Sequence, residues 1–570
     1  MNSPLQIRAI TKILLLSLTS GFLFIADMSQ LHQVVRSQAP RAADISLHWQ
    51  GARSIAVRPA AQHGFFAQLL ATASAEVATG YPAIFNDLAS QGEDLFFNET
   101  FDGNGRTCGT CHPATENFTL TADFIATLAP DDPLFVAEFI PALMFGAPEN
   151  LDAQGNPQRF ENPALMRAFG LITENQDGMG DTGKRFNMRS IPHNIGMSAS
   201  ILTPAGALMP PEDRTGWSGD GAPIGTIDGI PALGRLEDFL LGAIVQHYPL
   251  TLARSFAGPN PDFRSPTQTE LDAMAAFLLS LGRLQDLVLD AGAANELILK
   301  DAGAEAGKVL FRDGVPGGTT RCASCHMNAG ANAEVTDSTP ANRNFDTGIE
   351  QFLQNRLNDP TVTVIGEPRP FDGGFGTNPA GDFTSLLAQP GFDNENFGDL
   401  TFNTPSLIEA ADTPPFFHNN AIATLEDSIR FYNTIEFQQA RDAAIPFNEV
   451  QVTQVANFLR VINALDNIDN AILRQADRAL LALAHQPTPH AVIDRILLIM
   501  ISDIDDVRTV LTDGDLHNSG GLPVNAVKRL DKAKKRLQRA MNTNASVTAR
   551  THHIAAAEDE LAAIRGLLRN

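Results

Sequence analysis

All four cysteines of the chain fall in two five-residue sites, Cys108-Gly109-Thr110-Cys111-His112 and Cys322-Ala323-Ser324-Cys325-His326. Each site sets two thiols about one helical turn apart with a histidine directly behind them. That spacing is the one that attaches a haem: the thiols add across its vinyl groups, and the adjacent imidazole reaches the iron from one face. Four cysteines in an exported chain ordinarily suggest two disulfides, and a zinc site would join the two pairs. Neither reading explains why a histidine follows both pairs. The expectation is therefore two covalently bound c-type haems, attached at Cys108, Cys111, Cys322 and Cys325 and ligated by His112 and His326.

Haem attachment of this kind is completed outside the bacterial cytoplasm, and the N-terminus agrees with export. Arg8 and Lys12 precede an apolar run from Ile13 to Ala26, interrupted by Ser17, Thr19, Ser20 and Gly21. The run is shorter than the roughly 20 residues that span a bilayer, which favours a signal over residues 1–30, with an uncleaved membrane tether as the alternative. A periplasmic or otherwise exported protein follows. With 65 acidic against 41 basic residues the net charge is -24, which repels nucleic acid and leaves it out as a partner.

The text around the two sites repeats. Gly92-Glu93-Asp94-Leu95-Phe96-Phe97 precedes the first site as Gly307-Lys308-Val309-Leu310-Phe311-Arg312 precedes the second. Leu236-Glu237-Asp238-Phe239 matches Leu425-Glu426-Asp427-Ser428, and segments at helical spacing, Glu270 to Leu284 and Val450 to Leu465, close each unit. Segments rich in Gly, Pro, Asn and Asp, such as Gly314 to Gly318 and Asp372 to Gly381, read as long loops. The fold class expected is mainly α: a lead segment over 31–89, two cytochrome-c-like haem domains over 90–290 and 291–470, and a helical C-terminal extension over 471–570. Within that extension Asp469 to Ala484 and a basic stretch, Ala526 to Met541, read as a helical hairpin with a solvated charged face.

Thr404-Pro405-Ser406-Leu407 and the run Thr413-Pro414-Pro415-Phe416-Phe417-His418-Asn419-Asn420, followed by Thr424-Leu425-Glu426, resemble the bacterial di-haem cytochrome c peroxidase and MauG superfamily. That superfamily includes the di-haem rubber oxygenases. The resemblance spans most of residues 90–467 and leaves out the C-terminal extension. It implies an oxidoreductase in which the first haem reacts with peroxide or oxygen and the second relays electrons from a small cytochrome c or cupredoxin donor, with calcium between them. An oxygenase or oxidase acting on an organic substrate and a non-enzymatic electron carrier are the alternatives.

Carried over by motif, Tyr432 is the second iron ligand at His326's haem, where peroxidases have Met. A phenolate favours oxidised iron and a thioether reduced iron. His485 or His490 is the alternative ligand. In the first unit Ala243 stands at the Tyr432 position, so that iron is expected to be open, with Met179 or His193 as alternative caps. Trp217 corresponds to the tryptophan that passes electrons between the haems. The family's Gln and Glu over the reactive haem are replaced by Phe239 and Pro249, which leaves His247 as the candidate for proton transfer. The backbone carbonyls of Thr413 and Pro415 are the implied calcium ligands, with Asn187 as side-chain partner.

Overall fold

The computed structural model of the chain describes residues 83–144, 160–175, 186–197, 215–217, 224–227, 230–233, 236–282, 287–333, 341–355, 361–366, 372–374, 400–484, 490–513, 516 and 522–570. The signal or tether segment, Met179, His485 and the side chains of Asn187 and His490 lie outside the described residues. What is described is mainly helical, with four two-stranded antiparallel ribbons. Among the described residues no helix is long and apolar enough to cross a membrane.

The repeat read from the sequence has a physical counterpart. Helix α1 (Ala83–Asn98) precedes the first cysteine site, and α2 (Leu236–His247) and α3 (Gln268–Ser280) follow it; α4 (Ala302–Asp313) precedes the second, and α5 (Leu425–Phe431) and α6 (Glu449–Asn470) follow. In each half the leading helix crosses the closing helix at a glycine. A Cβ on Gly92 would sit 1.8 Å from the Ala273 carbonyl oxygen, and one on Gly307 would sit 1.9 Å from that of Gln454. No side chain fits at either crossing, so Gly recurs where the backbones touch. Capping boxes at Thr267/Glu270 and Asn448/Gln451 start the two closing helices at matching points.

One apolar cluster runs from Ala89 to Leu281 and another from Leu289 to Leu568. The second takes in the C-terminal helices, so the extension shares the core of the second half. It is also more than the expected hairpin. Helix α6 continues through a π-helical stretch, Ala471–Ala476, into α7 (Asp477–Ala484), and α8 (His490–Thr512), α9 (Leu522–Ala540) and α10 (Val547–Leu568) follow. Two of these escaped the periodicity: α8 buries Ile493, Ile496, Leu497, Met500, Ile504 and Val507 on a broad face, and α10 is rich in Ala, which blurs its apolar stripe.

Helix α8 docks on α6 and the 410–412 turn through a buried acidic group. Asn463 donates to Glu409 Oε2 at 2.8 Å and to Asp412 Oδ1 at 2.6 Å, Asn467 donates to the same two carboxyls, and Asn470 donates to Asp503 at 3.0 Å. Burial, with carboxyl neighbours, pushes Glu409 well above the usual carboxylate range. Burial likewise takes Asp412 to about 6 and Asp506 to about 9. Glu409 and Asp506 hold protons at neutral pH while Asp412 has largely given its proton up, because several ionised carboxylates cannot share a dry site.

Candidate functional site

Both motif histidines are prepared in the way a metal-bound imidazole needs. His112 Nδ1 lies 2.6 Å from the Phe118 carbonyl, and His326 Nδ1 lies 3.0 Å from the Pro405 carbonyl and 3.3 Å from that of Gly330. A carbonyl only accepts, so Nδ1 must carry the hydrogen and Nε2 keeps its lone pair. Burial lowers both histidines to about 4, which keeps them neutral. Pro405 belongs to the Thr-Pro-Ser-Leu motif; its carbonyl orients an imidazole 79 residues away in the chain.

The cysteines are not disulfide-bonded. Burial pushes the Cys108 thiol to about 11 and the Cys111 and Cys322 thiols to about 12, and it raises Cys325 as well. Such thiols are poor thiolate ligands or redox dithiols, and burial of this kind suits uncharged sulfur, as in a thioether.

A cavity of about 540 Å³ opens beside the second motif, lined by Cys322, Cys325, His326 and, among others, Tyr432. The size lies within the range of sites that enclose a cofactor. Arg321, Arg343 and Arg441 also line it and provide cations for carboxylates at its mouth. A haem therefore fits the residues present: sulfur, imidazole and a phenol meet in one apolar chamber. Tyr432 follows α5 as its C-cap, and burial followed by the Cys325 and Cys322 thiols raises its hydroxyl well above the ordinary tyrosine value. Without a cation it stays a phenol. Ala243, its counterpart in the sequence repeat, lies inside α2, because the first-half helix runs on to His247 where α5 stops at Phe431.

The first motif has different surroundings. Arg106, two residues before Cys108, is 1% exposed and pairs with Glu161 through two hydrogen bonds of 2.8 and 2.6 Å, while also donating to the Pro133 and Leu134 carbonyls. Tyr248 donates to Cys108 Sγ at 3.2 Å. His247, the proton-transfer candidate, is held through its carbonyl by Asn104. Its Nδ1 lies 4.0 Å from Glu161 Oε1 without a hydrogen-bond partner among the described residues. Burial, then Arg106 and Arg254, lowers it to about 3, so the imidazole is neutral. Phe239 packs against the backbone of Gly216, beside Trp217. His193 directs Nε2 to the Ser406 carbonyl at 3.3 Å, which ties it to the second half.

Trp217 lines the large cavity and also a smaller one of about 130 Å³. Its indole N–H donates to the Ser190 carbonyl at 2.9 Å, and its own carbonyl accepts from the Asn403 N–H at 2.8 Å. Thr413 and Pro415 border the smaller cavity. Among the described residues no cluster of three or more His, Cys, Asp or Glu is arranged to hold a metal, so a cation there would depend on carbonyl oxygens.

Sequence reasoning passed over Arg106, Glu161 and Tyr248 at the first motif, and the group behind Trp217 formed by Arg189, Glu350, Asp372 and His418. His418 stands in the run from Thr413 to Asn420, but the carboxylate partners of this group come from segments up to 183 residues away. No local signal marks those partners. No protein-family model matches the chain, and no curated protein matches it.

Proposed function

We propose that this chain is an exported di-haem c-type oxidoreductase built of two cytochrome-c-like haem units, resembling the di-haem cytochrome c peroxidase and MauG superfamily. Peroxide or oxygen is handled at the haem of Cys108, Cys111 and His112, and electrons pass by way of the haem of Cys322, Cys325 and His326. The observation that carries this reading is the matched pair of neutral imidazoles, each turned by a carbonyl so that Nε2 keeps its lone pair.

Bound haem supplies one-electron chemistry and a metal coordination position; the chain supplies everything that makes the two positions unequal. At the second, His326 and Tyr432 line one chamber, so both are residues that would hold a bound haem there. At the first, Ala243 supplies no ligand atom, and Phe239, His247 and Tyr248 are the side chains of that region. His247 is neutral and so can accept a proton; Phe239 contributes an apolar ring. Trp217, held at both its N–H and its carbonyl, borders both cavities, as Phe416 and Phe417 do, and is the natural relay. Calcium held by the carbonyls of Thr413 and Pro415 would brace the same wall. An acidic protein of net charge -24 would present the arginines of the second chamber to a small donor, a cytochrome c or cupredoxin.

The test is haem content and ferric spectroscopy on the exported protein. Two haems per chain are expected, with one high-spin and one low-spin ferric signal, together with turnover of hydrogen peroxide or consumption of oxygen above that of free haem. Two low-spin signals without turnover would instead establish an electron carrier, and fewer than two haems would remove the reading altogether.

A further inference from the structure

The residues behind Trp217 carry a charge arrangement that haem attachment does not require. The His418 ring stacks on Phe402, with centroids 3.9 Å apart and planes 14° from parallel, and turns its edge to Trp217 at 6.3 Å. Its Nε2 lies 2.9 Å from Glu350 Oε1 and 3.9 Å from Asp372 Oδ2. The Glu350 contact is off the N–H axis and is therefore a charge contact more than a directed hydrogen bond. Asp372 N–H donates to Glu350 Oε2 at 3.2 Å, and Arg189 grips Asp372 at 2.6 and 2.8 Å with Glu174 3.4 Å from its third nitrogen. Arg189, His418, Glu350 and Asp372 are 0, 1, 2 and 4% exposed.

Two carboxylates, Asp372 and Glu174, thus face one guanidinium, and a third, Glu350, faces His418. Despite burial, Arg189 holds Asp372 below the usual carboxylate range, while burial raises Glu350. Whether the Glu350–His418 pair holds a proton or not, the group keeps a net negative charge, and it lies where little water screens it. The indole offers the complementary half of the argument. Its N–H is bonded to the Ser190 carbonyl, and the same residue's N–H donates to the His418 carbonyl at 2.6 Å. A peptide carbonyl accepts a hydrogen bond but does not take a proton.

We propose that Glu174, Glu350 and Asp372, with His418 in contact, form the counter-charge of Trp217 and make it a one-electron carrier that keeps its indole proton. In the step, Trp217 gives one π electron to a one-electron metal oxidant, which is reduced by one. No bond forms or breaks, the proton stays on Nε1, and the new positive charge on the ring is balanced by carboxylate already in place. His418 and Glu350 are positioning residues here. The inference rests on the relay reading of Trp217 but concerns the indole's own chemistry.

The experiment uses the full haem-loaded chain with Trp49→Phe, so that Trp217 is the sole indole. A photogenerated ruthenium(III) polypyridyl complex serves as oxidant, with rapid-freeze electron paramagnetic resonance as readout. The expected result is a tryptophan radical with a proton splitting that collapses in D2O, absent from Trp217→Phe. Glu350→Gln, which is isosteric, is expected to lower its yield about tenfold at pH 7, and His418→Gln in the same direction, with haem content and circular dichroism unchanged. A radical without the exchangeable splitting, no radical on Trp217, or yields within twofold in a folded Glu350→Gln protein would overturn the proposal. If Trp217→Phe leaves electron transfer between the haems unaltered while the protonated radical forms in its presence, the relay reading falls and the counter-charge stands.

Discussion

The two halves of the molecule solve the same packing problem identically and the same ligand problem differently. Each begins with a helix that crosses its closing helix at a glycine, Gly92 on Ala273 and Gly307 on Gln454. The cysteine sites then diverge. His112 is held by Phe118, six residues on, within a turn where Asn117 and Phe118 both take positive φ. His326 is held by Gly330, four residues on, at 3.3 Å, and more closely by Pro405, from a distant loop, at 3.0 Å. The first site is backed by the buried Arg106–Glu161 pair, where the second has Thr320 in the place of Arg106, its hydroxyl donating to Ser324 at 3.4 Å. A duplicated scaffold has kept its backbone contact and let the residues near the cysteine sites change, as expected if the contact serves stability and the surroundings serve chemistry.

The glycine crossings give the severest way to break the likeness. Gly92→Ala and Gly307→Ala each place a carbon within 2 Å of a backbone oxygen, which no rotamer relieves. Each is expected to cost about 4 kcal/mol or more, read by thermal or denaturant unfolding, and the two losses should be similar. A tolerated alanine at one crossing only would show that the halves do not share the packing.

Next in size is the feature that separates them. Arg106→Ala leaves Glu161 buried without its cation and should cost about 3–5 kcal/mol, whereas Thr320→Ala should stay within about 0.5 kcal/mol. Equal losses at the two positions would remove the contrast. Differential scanning calorimetry of the two variants decides it.

The acidic group under α8 belongs to the second half and supplies a smaller, pH-dependent difference. Glu409, Asp412 and Asp506 all have folded values above the unfolded carboxylate range, so the folded state binds more protons than the unfolded one. Their contribution is therefore most favourable below about pH 4 and is lost as pH rises, through about 6 for Asp412 and about 9 for Asp506. Amide exchange in α8 should accelerate between pH 6 and 9, ahead of α1 and α3. Asp506→Asn should flatten that rise and stabilise the protein at pH 9 by about 1–3 kcal/mol. Exchange in α8 that does not respond to Asp506→Asn would show that the carboxyls do not hold the extension.

How much of this was legible follows from range. The Leu-Phe pair after Gly92, the Cys-x-x-Cys-His sites and the closing helices are written locally, and the helices lie where periodicity placed them. The glycine that opens each repeat could be seen, but the reason for it could not, since Ala273 and Gln454 are far along the chain. Arg189–Asp372 and Arg106–Glu161 are pairs of charges between segments distant in the chain, where no spacing rule operates. Helix α8 failed for the opposite reason: burial on a broad face removes the polar stripe that marks an amphipathic helix.

Tyr432 tests the contrast with the smallest structural cost. It lies at the end of α5 in the second chamber, and Ala243 in the repeat has no atom to offer. Its hydroxyl is raised by burial, so a phenol alone has no reason to ionise at neutral pH, and only a bound cation would draw off its proton. Tyr432→Phe keeps the ring contacts with Phe431 and Phe437, at 5.3 and 5.1 Å, and should change stability by less than about 1 kcal/mol. In the haem-loaded protein it should convert the low-spin ferric signal of the second haem to high-spin and leave the first haem's signal unaltered, because the two positions do not share this ligand. A spectrum indifferent to Tyr432→Phe would assign the tyrosine to packing alone, and the inequality of the two halves would then have to come from the Arg106 side.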